Sequence, residues 1–182
     1  MTWKRALPWI ALLLLAGLVL GDVRPPGGWP DWLGGGSDPQ LRAGGRVSAR
    51  VERVVDGDTI AVTIGDGDRR ERVRYLGVDT PETVKPNTPV ECGGEAASAL
   101  NRRLVQAGEK LTLQFDRELR DRYDRLLAYV YRARDGLFVN ARLVRDGAAR
   151  TLSIRPNTAH AIELARLQSA ARDARRGLWN AC

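Results

Sequence analysis

The polar and apolar positions of the chain fall into three regimes. A basic pair, Lys4-Arg5, precedes a charge-free apolar run from Ala6 to Leu20 that Gly21-Asp22 ends. That order is the n-region and h-region of a secretory signal, so export is expected. The run is shorter than the roughly 20 residues that cross a bilayer squarely, while Trp3 and Trp9 suit the interface of an uncleaved anchor. Residues 1–21 are therefore expected to be a signal peptide or an N-terminal membrane anchor, giving a secreted protein or one held at the membrane facing outward. From 22 to 45 neither a helical nor a strand period is present. Seven Gly and four Pro make this stretch a linker.

Regular patterning begins at residue 46. Val47, Val51 and Val54 alternate with charged residues, which predicts a strand with one wet face over 46–55. TIAVTI (59–64) and RVRYLGV (72–78) are β-rich and flank the tight-turn sequence Gly65-Asp66-Gly67-Asp68, so three strands in a meander are expected. The period then changes. Ala96, Ala99, Leu100 and Leu104 form a helical stripe within 95–106, stopping near Gly108. KLTLQF (110–115) and LLAYVY (126–131) return to strand, with a turn at Asp135-Gly136. Residues 139–145 and 160–175 are predicted helical, the second with Ile162, Leu164, Ala165, Leu167 and Ala171 as its packed positions. About five strands and three helices make a small α+β domain, a β-barrel with helices, over 46–182.

Composition narrows the chemistry. The 182 residues carry 29 Lys and Arg against 22 Asp and Glu, a net +7. Residues 46–182 hold 25 basic and 19 acidic side chains, so +6 of that charge belongs to the patterned region, where 23 of the basic residues are Arg. A polyanionic partner is expected. One His (His160) and two Cys (Cys92, Cys182) exclude zinc sites that need several such ligands, so any metal should sit on oxygen. His160, at the start of the last helix, is expected to cap or pack.

Two acidic turns stand out: Asp56-Gly57-Asp58-Thr59 and Val78-Asp79-Thr80-Pro81-Glu82. Short carboxylates on rigid turns suit a hard cation such as Ca²⁺. They are equally ordinary as hairpin and turn residues. Arg74, five residues before Asp79, and Arg125, in Asp121-Arg122-Tyr123-Asp124-Arg125, add two guanidinium forks of the kind that grip phosphate bidentately. In so Arg-rich a chain they also fit an ordinary surface.

The ordered set VERVVDGDTIAV, RYLGVDTPET, ECGGEAASA, DRYDRLLAYVY, VNARLVRDGAA, RPNTAH and GLW resembles the staphylococcal nuclease (thermonuclease) family, from about Val47 to Trp179. The resemblance implies a five-stranded OB-fold barrel flanked by three α-helices, which binds single-stranded DNA or RNA and hydrolyses phosphodiesters with Ca²⁺. By position, Asp58 and Asp79 match the calcium carboxylates, with Thr80 adding its backbone carbonyl. Glu82 matches the family's candidate general base, Arg74 and Arg125 the residues that hold the scissile phosphate, and Arg122 and Tyr123 contacts to the terminal phosphate and nucleotide. A monomer is expected. The rival reading is an exported OB-fold module that binds nucleic acid without cutting it; the presence of every expected active-site residue favours the enzyme.

The chain departs from the family pattern at three places. Leu152 and Ile154 stand where a well-known member has two tyrosines, which bears on base preference. Asp124 replaces a glycine and is placed to pair with Arg122 or Arg125, or to tilt the loop. Cys92 and Cys182 suit a disulfide in an exported protein, although spacing alone leaves open whether they are bridged.

Overall fold

The computed structural model describes residues 41–65, 69–83 and 91–182. The leader, most of the linker and the centre of the Gly65–Asp68 turn lie outside these residues. Leu41 packs on the core and the Gly44 N–H donates to the Asp116 carbonyl at 2.8 Å, so residues 41–45, expected as linker, are attached to the barrel.

Strands β1 (Arg46–Val54), β2 (Thr59–Ile64), β3 (Arg69–Tyr75), β5 (Lys110–Gln114) and β6 (Leu126–Arg132) close a barrel in the order β1-β2-β3-β6-β5. The β3–β6 pair is parallel and the others are antiparallel. The alternation that predicts each strand also fills the barrel: Val47, Ile60, Val62, Val73, Leu113 and Val130 point inward and are buried. Three helices flank it, α1 (Gly94–Leu104), α2 (Val139–Arg145) and α3 (Ala161–Asp173), followed by the single turn α4 (Leu178–Ala181).

The expected third strand is two. β3 ends at Tyr75, and β4 (Gly77–Asp79) leaves the barrel to pair antiparallel with β7 (Arg150–Leu152). Gly77 makes the break: its φ is +75°, and a Cβ there would lie 2.5 Å from Leu164 Cδ1. The turn redirects the chain so that Asp79 leaves the barrel wall beside the end of β3.

Both predicted helical stripes need correction. In α1 the buried positions are Gly94, Ala97, Ser98, Asn101 and Leu104, while Ala96 is exposed. Asn101 is buried because it is hydrogen-bonded on both sides, accepting from Tyr75 Oη at 3.1 Å and donating to the Asp56 carbonyl at 3.0 Å. In α3 only Leu164 and Ala171 are buried; Ile162 and Ala165 face out. His160 packs rather than caps: its ring lies 4.5 Å from that of Tyr129 and 4.8 Å from that of Phe138, and Nδ1 is 2.8 Å from Glu163 Oε2.

Candidate active site

Strand register brings the first contact set together. Thr59 of β2 faces Arg74 of β3, so Asp58, one residue earlier, sits beside the Arg74 guanidinium at the barrel end. Arg74 Nη1 forms an ion pair with Asp58 Oδ2 at 2.7 Å and donates to the Val78 carbonyl at 3.0 Å, and Nη2 donates to Asp79 Oδ1 at 2.8 Å. Two of the five guanidinium N–H groups are thereby used in hydrogen bonds, and Nη1 also faces the Asp58 carboxylate. The Nε–H and the second Nη2–H, one edge of the fork, are not needed for these contacts.

Asp58 is almost fully buried and held from several directions. Its Oδ2 also accepts the Thr80 N–H at 2.9 Å and the Thr80 hydroxyl at 3.0 Å, and its Oδ1 accepts the Thr59 hydroxyl at 3.2 Å. Thr80 thus positions Asp58 through amide and hydroxyl, a role the motif alone does not suggest. The two acidic turns touch because Gly57 has no side chain: a Cβ there would lie 2.5 Å from Thr80 Oγ1. Burial, followed by the charge of Asp58, raises the pKa of Asp56. Burial also raises Asp79, with Asp58 and Glu91 adding to it against the opposing pull of Arg74.

A second set forms on the 121–125 loop. Arg125 Nε donates to Asp121 Oδ2 at 2.8 Å and its Nη2 lies 2.7 Å from the same oxygen as an ion pair, while Asp121 Oδ1 accepts the N–H groups of Tyr123 at 2.9 Å and Arg125 at 3.0 Å. Burial pushes the Asp121 pKa up, but these hydrogen bonds prevail and hold it below the ordinary carboxylate value. Asp121 occupies one edge of the Arg125 fork and leaves the outer edge. Tyr123 is 64% exposed; its hydroxyl accepts from Arg122 Nη2 at 2.7 Å, and the Arg122 and Arg125 guanidinium carbons lie 4.8 and 5.4 Å from its ring centre. Arg120 pins this loop to β3 by donating to Glu71 at 2.7 and 3.0 Å.

Asp124 pairs with neither Arg122 nor Arg125. Its carboxylate is 3.4 Å from Arg120, and its φ of +61° lies in the left-handed region, which explains why a glycine suits this position and an Asp tolerates it. Asp121, which holds the Arg125 guanidinium, is the residue of this loop that the sequence pattern does not single out. It lies inside the quoted motif, but an acid among arginines looks like surface.

One cavity of about 500 Å³ has Arg74 of the first set and Arg122, Tyr123 and Arg125 of the second on its wall, together with Leu152 and Ile154; Asp58, Asp79, Thr80 and Glu82 are not among the residues that line it. Glu82 stands on the loop beyond Asp79. Its carboxylate accepts the Thr83 N–H at 3.0 Å, and its backbone N–H and carbonyl both bond to Glu91. That loop is held from behind: a Cβ on Gly94 would press on Thr83 Cγ2 at 2.7 Å and on the carbonyls of Pro81 and Glu82. The Cys92–Cys182 disulfide, with Cα atoms 5.9 Å apart, ties the start of α1 to the chain's last residue.

Comparison with known proteins agrees with this geometry. A family model described as staphylococcal nuclease homologue matches residues 72–181. The thermonuclease of Staphylococcus intermedius is 43% identical over 129 residues, covering 71% of this chain and 74% of that protein. The chain belongs to the staphylococcal nuclease family. The thermonuclease of Staphylococcus hyicus is 40% identical over 131 residues, 72% of this chain and 75% of its own. Endonuclease YncB of Bacillus subtilis (strain 168) is 43% identical over 136 residues, 74% of this chain and 62% of its own. Against this staphylococcal nuclease background, the five-stranded mixed barrel with three flanking helices is the family fold.

Proposed function

We propose that the protein is a calcium-dependent nuclease that hydrolyses phosphodiester bonds of DNA or RNA, preferring single strands. The observation that carries this reading is the shared wall of Arg74 and Arg125 on one cavity, with Arg74 bonded directly to both Asp58 and Asp79. A phosphodiester needs both: forked cations for its oxygens, and carboxylates for a metal ion and a proton.

The donor set suits Ca²⁺. Asp58, Asp79 and the Thr80 carbonyl are hard oxygen donors, the kind of ligand a Ca²⁺ ion takes. Among the described residues no three His, Cys, Asp or Glu side chains form a metal cluster. The rest of the ion's shell would therefore come from carbonyl, water and the substrate's phosphate. Bound there, Ca²⁺ supplies charge neutralisation to the phosphodiester and lowers the pKa of adjacent water.

The chain's own residues do the rest. The free edges of Arg74 and Arg125 bind the scissile phosphate and stabilise the added negative charge of the pentacoordinate transition state, in a geometry already fixed by Asp58, Asp79 and Asp121. Glu82 accepts the proton of the attacking water. Arg122 and Tyr123 hold the substrate's terminal phosphate and nucleotide. The basic-then-apolar N-terminus supports export, as a secreted enzyme or one anchored outside the membrane, and the disulfide suits that oxidising setting.

Denatured DNA incubated with the protein and Ca²⁺, then with excess chelator, tests the reading. Degradation that stops on chelation is expected. Retardation on a gel without cutting would replace the enzyme with a binding module.

A further inference from the structure

We propose that Glu91 is the positioning residue of Glu82, and that Glu91-Cys92-Gly93-Gly94 is the seat on which the proton-accepting carboxylate is mounted. The inference rests on the nuclease reading and deepens it by naming what fixes the base. Pro81 has no N–H and the Thr80 N–H is already given to Asp58 at 2.9 Å, so the Glu82 amide is the next donor that can anchor the chain beyond the acidic turn. Its acceptor is Glu91 Oε2, at 3.2 Å. In return the Glu91 N–H donates to the Glu82 carbonyl at 3.0 Å, so one residue nine positions away holds both backbone polar groups of Glu82. The Glu82 carboxylate is then aimed by the Thr83 N–H, which it accepts at 3.0 Å.

Each neighbour of Glu91 keeps it in place. Its carbonyl accepts the Gly94 N–H at 2.9 Å in the turn that opens α1, and Cys92 ties that turn covalently to Cys182. Gly93 has a φ of +83°, and Leu178 Cδ2 fills the space its Cβ would take. Gly94 lets the loop come close: a Cβ there would lie 3.1 and 3.2 Å from the carbonyl oxygens of Pro81 and Glu82. Glu91 itself is exposed, and its one side-chain hydrogen bond among the described residues is the one to Glu82. A side chain whose contact is the backbone of the base acts through that base.

The test compares Glu91→Ala with Glu91→Gln. Both remove the charge, so any effect of that charge on Ca²⁺ is common to the two, and only Gln keeps an oxygen that can accept the Glu82 N–H. On single-stranded DNA at saturating Ca²⁺, kcat should be about tenfold lower for Ala than for Gln, because a slightly displaced base loses its line to the water. KM should differ between them by less than about twofold. In a Glu82→Gln background the kcat ratio should also shrink to within about twofold, since the seat then carries no base. Amide hydrogen exchange at Glu82 should be about tenfold faster in Glu91→Ala than in Glu91→Gln, a readout that needs no cleavage. Equal kcat for the two variants, a ratio that survives in the Glu82→Gln background, or equal exchange would each overturn the assignment. If the wild type cuts nothing with Ca²⁺, the nuclease reading fails by itself, and the exchange rates still decide whether Glu91 holds Glu82.

Discussion

Asp58 and Arg74 are held by the barrel, whereas Glu82 is held by a loop that depends on the far end of the chain. The first pair meets through β2–β3 register, with Asp58 buried and Arg74 half-buried, and is cross-bonded by Thr59, Thr80 and Val78. Glu82 sits where Gly94 lets α1 press against the loop, with a disulfide and Leu178 of α4 packed behind Gly93. On the proposed function, a guanidinium that presents a fixed fork to phosphate gains from barrel rigidity, whereas a base that follows a water gains less, and the position of Glu82 is set by contacts that form over long sequence distance.

This contrast can be broken in order of effect. Glu82→Gln keeps the shape of the side chain and removes the proton acceptor; single-turnover cleavage should fall by about 10²–10⁴. A wild-type rate would remove Glu82 from the chemistry and leave the barrel half acting alone. Arg125→Lys and Arg74→Lys keep the charge and lose the fork, so each should cost about 10²–10³ in the same assay. If Arg125→Lys cut as fast as wild type, charge and not fork geometry would be what the clamp supplies. Reducing the disulfide, or Cys92→Ser, opens a link of 90 residues' separation and should lower unfolding stability by about 2–4 kcal/mol in urea. Because the bridge lies behind the Glu82 loop, kcat should fall more than phosphate affinity does. Acid gives the smallest effect. The folded-state pKa values of Glu71 and Asp121 lie below their ordinary 4.5 and 3.8, so their stabilisation is complete above those values and is lost only as pH falls through the lowered ones. The barrel and its arginine loop should keep their native circular dichroism to below about pH 4; loss of it near pH 5 would show these ion pairs to be weaker than their geometry implies.

Much of the fold is legible in the residue pattern, for reasons that also explain what is not. Val47, Ile60, Val62 and Val73 announce their strands because one face of each is buried in a closed barrel. Asp58, Asp79, Arg74 and Arg125 lie in motifs whose spacing is specific; the fold brings Arg74 and Arg125 to one cavity and pairs Arg74 with both carboxylates. The α1 stripe misleads because a buried Asn, hydrogen-bonded to Tyr75 and Asp56, counts as polar in any hydrophobic period. β4 and β7 have three residues each, too few for a period, and pair across more than 70 positions. Cys92 and Cys182 cannot be joined from spacing, since only the path of α1 and α4 brings their Cα atoms within bonding reach.

On the proposed function, the Asp58–Asp79 end of the barrel binds the metal ion that activates cleavage. The direct measurement is the single-turnover rate on single-stranded DNA as a function of Ca²⁺, for wild type and for Asp79→Asn, whose side chain is half exposed and not needed for packing. The wild-type rate should rise with Ca²⁺ to a plateau, and the variant should need at least about tenfold more Ca²⁺ to reach half of its own maximum. Superimposable curves for the two proteins would contradict the account.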